Sequence, residues 1–294
     1  MDKHIFWLAS YPKSGNTLIR AILSSLFFTI DGTFNLKLLE YIRQFETTYN
    51  IYKAKKLIGK DLYNLNDISI FYKYLLKIQH KENLGFKEDF KFFKTHSGNF
   101  KINNNAFTAK ENIRGVIYVI RDPRDICVSW SNHTGGSYDQ SVDFMTNELQ
   151  SLLWVKGKNN LFENNNIPPS FISSWDKHVI SWTSNNWEIP LLIVKFEDLV
   201  YKKEDTIRII ASFFSNNYGF KFQNLDQKVI NILETTSFSN LKKEESNKGF
   251  IEAQKGRKFF KKGTKDQWKN KLNKDQLLKI EDKFKVVMNK FDYK

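Results

Sequence analysis

The sequence predicts an α/β fold in three layers, with a central, mostly parallel sheet flanked by helices. Three observations carry this expectation. Short β-branched and aromatic runs recur along the chain, amphipathic segments separate them, and the first run turns through a Gly-containing loop directly into a helical pattern.

In chain order, "HIFWLAS" (4–10) reads as a buried strand because a continuous apolar run of this length ends on turn residues. Residues 16–30 and 35–46 read as amphipathic helices, as do 68–80. "FKFFKTH" (90–96) is a more polar strand of similar length, and "GVIYVIR" (115–121) a third, fully apolar one. A helix over 122–133 follows, with Asp122 as N-cap and Pro123 at the first helical position, where its missing N–H costs nothing. Further helices are expected over 171–187, 203–216 and 274–290, with the strand "PLLIVKF" (190–196) between the first two. Residues 241–265 carry dense charge without a steady period and read as a mobile or ligand-ordered segment, a candidate lid. The 294 residues contain only 5 Pro and 13 Gly, with no linker composition and no internal repeat, so one domain over 1–294 is expected.

A formal net charge of +14 favours an anionic partner, such as a nucleotide, a nucleic acid, an acidic sugar or a membrane surface, although Lys-rich composition alone does not choose among them. The single cysteine, Cys127, excludes an internal disulfide and fits a reducing compartment. The apolar start is shorter than the core of a secretory signal and no uncharged run approaches ~18 residues, so a soluble, cytoplasmic protein is expected.

Chemistry concentrates at three places. In "YPKSGNT" (11–17), Ser14, Gly15, Asn16 and Thr17 offer backbone N–H groups at a helix start, with Lys13 reaching over them, which is an arrangement for an anion. Lys13 precedes Gly15 and no Gly-Lys-Ser/Thr follows, which weakens an ATP-dependent phosphotransferase reading. In "YVIRDPRDICVSW", Arg121 leaves a strand beside a helix start and Ser129 lies two turns on. A guanidinium, a hydroxyl and a helix terminus suit a phosphate monoester, while pairing of Arg121 with Asp122 or Asp125 is the structural alternative. In "FKTH", Lys94 and His96 share one side of a strand end, and His is the side chain best matched to removing a hydroxyl proton near neutral pH. His4, His80, His133 and His178 lack that setting and read as structural or surface residues.

Together these segments resemble the sulfotransferases that use 3′-phosphoadenosine 5′-phosphosulfate (PAPS), in particular the cytosolic type. "YPKSGNTL" is similar to their 5′-phosphosulfate loop, "VIRDPRDICVS" to their 3′-phosphate motif, and "KTH" to the segment with the catalytic His. "FEDL" resembles their Tyr-Glu-Asp-Leu stretch, "TSF" (236–238) an adenine-contacting segment, and "FFKKGTKDQWKN" the C-terminal Arg-Lys-Gly motif. The resemblance implies a P-loop-like domain that moves a sulfuryl group to an acceptor hydroxyl or amine by in-line displacement, leaving adenosine 3′,5′-bisphosphate (PAP), with no metal. It implies His96 as general base, Lys13 at the leaving group and Lys94 at the sulfuryl group. The donor would be held by Lys13, Ser14, Gly15, Asn16, Thr17, Leu18, Arg121, Ser129, Phe196, Thr236, Phe238, Lys261, Lys262 and Gly263. Asn16, Leu18, Phe196, Lys261 and Asp266 depart from the family pattern, where Thr, Trp, Tyr, Arg and Gly are usual. A non-catalytic binder of nucleotides or sulfated sugars and a P-loop phosphotransferase are the alternatives. The acceptor pocket is expected from residues 31–85, 134–170 and 241–260, whose aromatics (Phe34, Tyr41, Phe45, Tyr138, Phe144, Trp154) suit a small or lipid-like alcohol rather than a polysaccharide, while most of these positions also read as helix-face core; "HTGGSY" (133–138) is a flexible entrance, and no nucleic-acid motif is present.

Overall fold

The structure, a computed structural model, describes residues 3–65, 67–152, 169–184, 188–250, 252–253, 258–260 and 263–294. Trp154, Lys261 and Lys262 lie outside the described residues, as does part of the expected lid. The principal strands are β1 (Ile5–Ser10), β2 (Lys91–Thr95), β3 (Ile113–Ile120) and β4 (Leu191–Lys195). The principal helices are α1 (Asn16–Phe28), α2 (Ile68–Ile78), α3 (Pro123–Thr134), α4 (Tyr138–Thr146) and α5 (Trp175–Thr183). They continue as α6 (Lys203–Tyr218), α7 (Leu225–Thr235), α8 (Phe238–Lys248) and α9 (Lys274–Lys290).

The four strands form one sheet in the order β2-β1-β3-β4. β1 and β2 are parallel, with Phe6 opposite Phe92 and Leu8 opposite Lys94. Every residue of β1 is buried, as an inner strand covered on both faces requires. All four strands that the sequence predicts are present, in an α/β arrangement of sheet and flanking helices.

The chain forms two compact units. One comprises Met1–Tyr11, Arg43–Tyr118 and Met145–Leu191. Its core is aromatic: Trp7 packs edge-on against Phe45 and is tilted against Phe107 and Trp182. The Trp7 indole N–H donates to Thr108 Oγ1 at 3.2 Å, and Thr108 donates to Gln79 Oε1 at 2.7 Å, so the Trp7 indole and the Thr108 hydroxyl are paired inside this core. The other unit comprises Pro12–Ile42, Val119–Phe144 and Leu192–Lys294. Here Phe27 of α1 meets Phe214, Phe220 and Phe222 edge-on. Asp122 caps α3 by accepting the Arg124 N–H at 2.8 Å, with Pro123 at the first turn as the sequence predicts, and Gly135 in the left-handed conformation ends the helix.

Three expectations change. Residues 35–46 form only a 3-10 helix, Leu36–Tyr41, because the following backbone pairs with β2: Lys94 N–H donates to Arg43 O at 2.9 Å and Phe45 N–H to Lys94 O at 2.8 Å. The helix expected over 171–187 is shortened at its start to Trp175, since Ser170–Phe171 pairs with Ser151–Leu152 as a small antiparallel ladder. Residues 241–248, expected as the start of a mobile or ligand-ordered segment, complete α8. That helix buries little more than Leu241 and Glu245, and the Glu245 carboxyl accepts the N–H groups of Phe259 and Phe260.

Candidate functional site

The loop after β1 turns because two residues take left-handed backbone: Lys13 at φ 67° and Gly15 at φ 102°. Gly15 is the N-cap of α1, and no side chain caps the first turn, where helix geometry aims backbone N–H groups outward. A Cβ on Gly15 would lie 2.5 Å from the Phe196 ring, so a second constraint besides φ selects glycine. Phe196, the first residue of the short helix Phe196–Tyr201, also lies beneath the Arg121 guanidinium, 4.1 Å from its ring centroid. Arg121 in turn donates to the Lys13 carbonyl at 3.0 Å and more weakly to Thr264 O at 3.5 Å. Loop, guanidinium and phenyl ring are thus one assembly, built from three of the motifs that sequence reading separates.

Arg121 is only 4% exposed, yet its Nε has no hydrogen-bond partner, and neither does the hydroxyl of buried Ser14. Burial pulls the Arg121 guanidinium below its ordinary value, opposed by Asp125, Glu197 and Asp122. The structural alternative, direct pairing of Arg121 with Asp122 or Asp125, is not what forms. Asp122 instead pairs with Arg124 at 2.8 Å, and Asp125 accepts the backbone N–H groups of Asp266 and Trp268 at 2.9 and 3.2 Å. A buried cation with an open donor, bonded to the carbonyl of Lys13, and the buried open hydroxyl of the next residue, Ser14, together have the donor chemistry of an anion site.

Lys13 Nζ lies 4.4 Å over the Phe259 ring. The Thr17 hydroxyl, expected to face an anion, donates to Glu252 Oε2 at 3.2 Å, and Arg20 also binds that carboxyl. Asn16 and Leu18 are buried on the first turn of α1, and Ser129 is half-buried on α3. At the "TSF" segment the Thr236 hydroxyl returns to Ile232 O at 2.6 Å. Lys203 donates to Thr236 O at 2.9 Å, and its own burial lowers the ammonium to about 8. Phe238 lies against Gly263, whose φ is 56° and where a Cβ would meet the ring at 1.9 Å. Asp266 stands where the family pattern has glycine because its backbone is left-handed at φ 61°, a conformation Asp adopts more readily than most residues, and its carboxyl pairs with Lys269 at 3.2 Å.

Lys94 and His96 belong to the other unit and are both buried at the carboxyl end of β2. His96 Nδ1 lies 2.8 Å from the Ser10 carbonyl, with Ser10 Oγ at 3.3 Å. A carbonyl only accepts, so Nδ1 carries a proton and, in the neutral ring, Nε2 holds the lone pair. The His96 carbonyl is itself held, accepting from His178 Nε2 at 3.0 Å, while Tyr118 OH donates to His178 Nδ1 at 2.8 Å. Burial lowers His178 to about 3, which keeps that ring neutral. Sequence reading places His178 as structural without its partners. The signal was there in the spacing of Trp175, His178, Val179 and Trp182, one helical stripe that is buried throughout.

A family model for the sulfotransferase domain matches residues 3–292. The chain belongs to the sulfotransferase family. Sulfotransferase 2A6 of Mus musculus is 29% identical over 163 residues, covering 53% of this chain and 50% of that protein. Luciferin sulfotransferase of Photinus pyralis is 23% identical over 291 residues, covering 94% of this chain and 69% of that one. The chain spans about half the length of the mouse relatives it matches. Among solved structures, mouse sulfotransferase SULT7A1 complexed with PAP superposes with a TM-score of 0.59 at 16% identity, covering 100% of this chain and 86% of that one. Retinol dehydratase in complex with androsterone and inactive cofactor PAP gives 0.57 at 16%, covering 98% and 81%. These likenesses show the sulfotransferase fold.

Several aromatics expected to shape an acceptor pocket are packing residues. Phe34 and Phe45 are buried, and Phe144 stacks on Trp130 at 4.2 Å. Tyr41, half exposed, stacks on Phe28 at 4.6 Å. Of the entrance expected at 133–138, residues 135–137 connect α3, which runs to Thr134, with α4, which begins at Tyr138. Among the described residues no His, Cys, Asp and Glu side chains gather as a metal site, and no helix is long and apolar enough to cross a membrane.

Proposed function

We propose that this member of the sulfotransferase family transfers the sulfuryl group of PAPS to an acceptor hydroxyl or amine, acting as one domain over its length. The observation that carries the reading is the buried Arg121 guanidinium with its open Nε, tied to the Lys13 carbonyl of the loop whose next residue, Ser14, has an open buried hydroxyl. PAPS supplies an activated sulfuryl group on a leaving nucleotide that carries phosphates at two positions. Arg121 and Ser129 are assigned to the 3′-phosphate, and Ser14, Gly15, Asn16 and Thr17 to the 5′ side through hydroxyls and α1 N–H groups. Thr17 takes that role when Glu252 yields its hydroxyl. Leu18, Phe196, Thr236 and Phe238 are assigned to the adenosine. Gly263 belongs to the same set, as do Lys261 and Lys262 from the sequence alone.

His96 accepts the acceptor proton at Nε2, the nitrogen left unprotonated by the Ser10 carbonyl, as the acceptor oxygen or nitrogen bonds to sulfur and the sulfur–oxygen bond to the nucleotide breaks. Lys13 neutralises charge on the departing oxygen, and Lys94 the sulfuryl oxygens. A small or lipid-like alcohol is the proposed acceptor. A cytoplasmic setting is supported by the lone, buried Cys127, whose thiol burial pushes up to about 12.

The experiment is transfer of radiolabelled sulfate from PAPS to a panel of phenols, sterols, aliphatic alcohols and amines, with His96→Ala alongside. Loss of roughly 100- to 10,000-fold in kcat is expected for the variant. Transfer by the variant at the wild-type rate would overturn the base assignment, and no transfer by wild type to any acceptor would overturn the activity.

A further inference from the structure

Behind the strand end that carries His96 lies a carboxyl group that the proposed chemistry leaves unused. Glu46 is 1% exposed, and its Oε1 accepts two hydroxyls, Thr95 Oγ1 at 2.6 Å and Ser97 Oγ at 2.5 Å. These are the two residues flanking His96. Ser97 N–H also donates to Thr95 Oγ1 at 2.9 Å, closing the bracket into a ring of hydrogen bonds. One carboxyl oxygen therefore grips the side chain on each side of His96, just past the end of β2, which fixes the turn of the chain from which the imidazole projects.

The rest of the segment is held by neighbours rather than by sheet pairing, because β2 ends at Thr95. Trp182 Nε1 donates to Ser97 O at 2.9 Å, and His178 Nε2 to His96 O at 3.0 Å. Those bonds fix the backbone, and among the described residues only the Glu46 bracket grips side chains on both sides of His96. The carboxyl's other oxygen, Oε2, is buried without a partner, as is the hydroxyl of Tyr72. Glu46 contributes to raising the Tyr72 phenol, after the larger effect of burial. Keeping a buried carboxyl only half satisfied is costly in a core, and short hydroxyl–carboxyl bonds are among the stronger contacts available to offset that cost.

We infer that Glu46 is a positioning residue for His96: by bracketing Thr95 and Ser97 it holds the imidazole with Nδ1 on the Ser10 carbonyl and leaves Nε2 as the basic nitrogen. The inference rests on the reading of His96 as the base, but its geometry does not depend on any donor or acceptor. The two are therefore tested separately.

The test is the tautomer of His96, read from long-range proton–nitrogen correlation spectra of the histidine-labelled full chain, with the resonance assigned by its loss in His96→Gln. In wild type the Nδ1-protonated form is expected to exceed the other at least ~10-fold. Glu46→Ala is expected to bring the ratio below about 3-fold, and Glu46→Gln, whose amide oxygen can still accept both hydroxyls, to restore it. If Glu46→Ala does not fold, Ser97→Ala serves, and a fall in the ratio of at least about 3-fold is expected. A wild-type ratio in Glu46→Ala or Ser97→Ala would overturn the inference, as would Glu46→Gln behaving like Glu46→Ala. Full transfer activity in His96→Ala would instead overturn the base assignment and leave the tautomer result standing.

Discussion

Replacing Gly15 by alanine should damage the anion loop in two separable ways. The backbone sits at φ 102°, where an L residue pays roughly 1–2 kcal/mol that glycine does not. The new methyl would start 2.5 Å from Phe196 Cδ2, so the ring must shift by about an ångström, and overpacking of this kind costs roughly 1–3 kcal/mol. The sum is about 2–5 kcal/mol, a large share of a domain's ordinary stability. Urea unfolding by linear extrapolation reads the change. Adding Phe196→Leu removes the ring but not the φ cost, so the double variant should recover part of the loss, and the cycle should show coupling of at least ~1 kcal/mol. A loss below about 1 kcal/mol in the single variant, or strict additivity in the cycle, would refute the reasoning.

Gly263→Ala should be at least as costly in urea unfolding as Gly15→Ala, since its methyl would overlap the Phe238 ring at 1.9 Å and its φ is 56°. Asp266→Gly should change stability by no more than ~1 kcal/mol, while Asp266→Val should cost at least that, because only the β-branched residue resists the left-handed backbone. His178 is lowered from 6.5 to about 3, so the unfolded chain takes up its proton first as pH falls. The stability that neutral His178 contributes is complete above pH 6.5 and lost towards about 3. Wild type should therefore lose about 3 kcal/mol more than His178→Gln between pH 6.5 and about 4, measured by urea unfolding at each pH, and parallel curves would contradict the assignment.

Much of the sheet was legible because buried strands must be apolar on both faces, and "HIFWLAS" and "GVIYVIR" carry that signature without ambiguity. The loop at residues 11–17 was legible because a strand, a Gly-containing turn and a helix start can be read in one dimension. Helices α7 and α8 were not. α8 has only two buried side chains, one of them Glu245, so it presents no apolar period to read. The 35–46 segment misled because its apolar spacing is helical while its backbone bonds go to Lys94, a partner some fifty residues away that no local pattern reveals. Among the residues proposed for the site, Arg121 and His96 were placed at strand ends by the sequence, and they do follow the ends of β3 and β2. Glu46, Asp125 and Glu252 were not, since each matters through a contact distant in sequence, to Thr95 and Ser97, to Asp266 and Trp268, and to Thr17 and Arg20.

In the proposed function the buried Arg121, with its open Nε, selects a nucleotide with a 3′-phosphate. Calorimetric titration of PAP against 5′-AMP and ATP without metal, on wild type and Arg121→Ala, tests it most directly. The account predicts that wild type binds PAP at least ~10-fold, or ~1.4 kcal/mol, more tightly than 5′-AMP, and that Arg121→Ala erases most of that preference. Equal binding of the three nucleotides by wild type, or a preference that survives in Arg121→Ala, would contradict it.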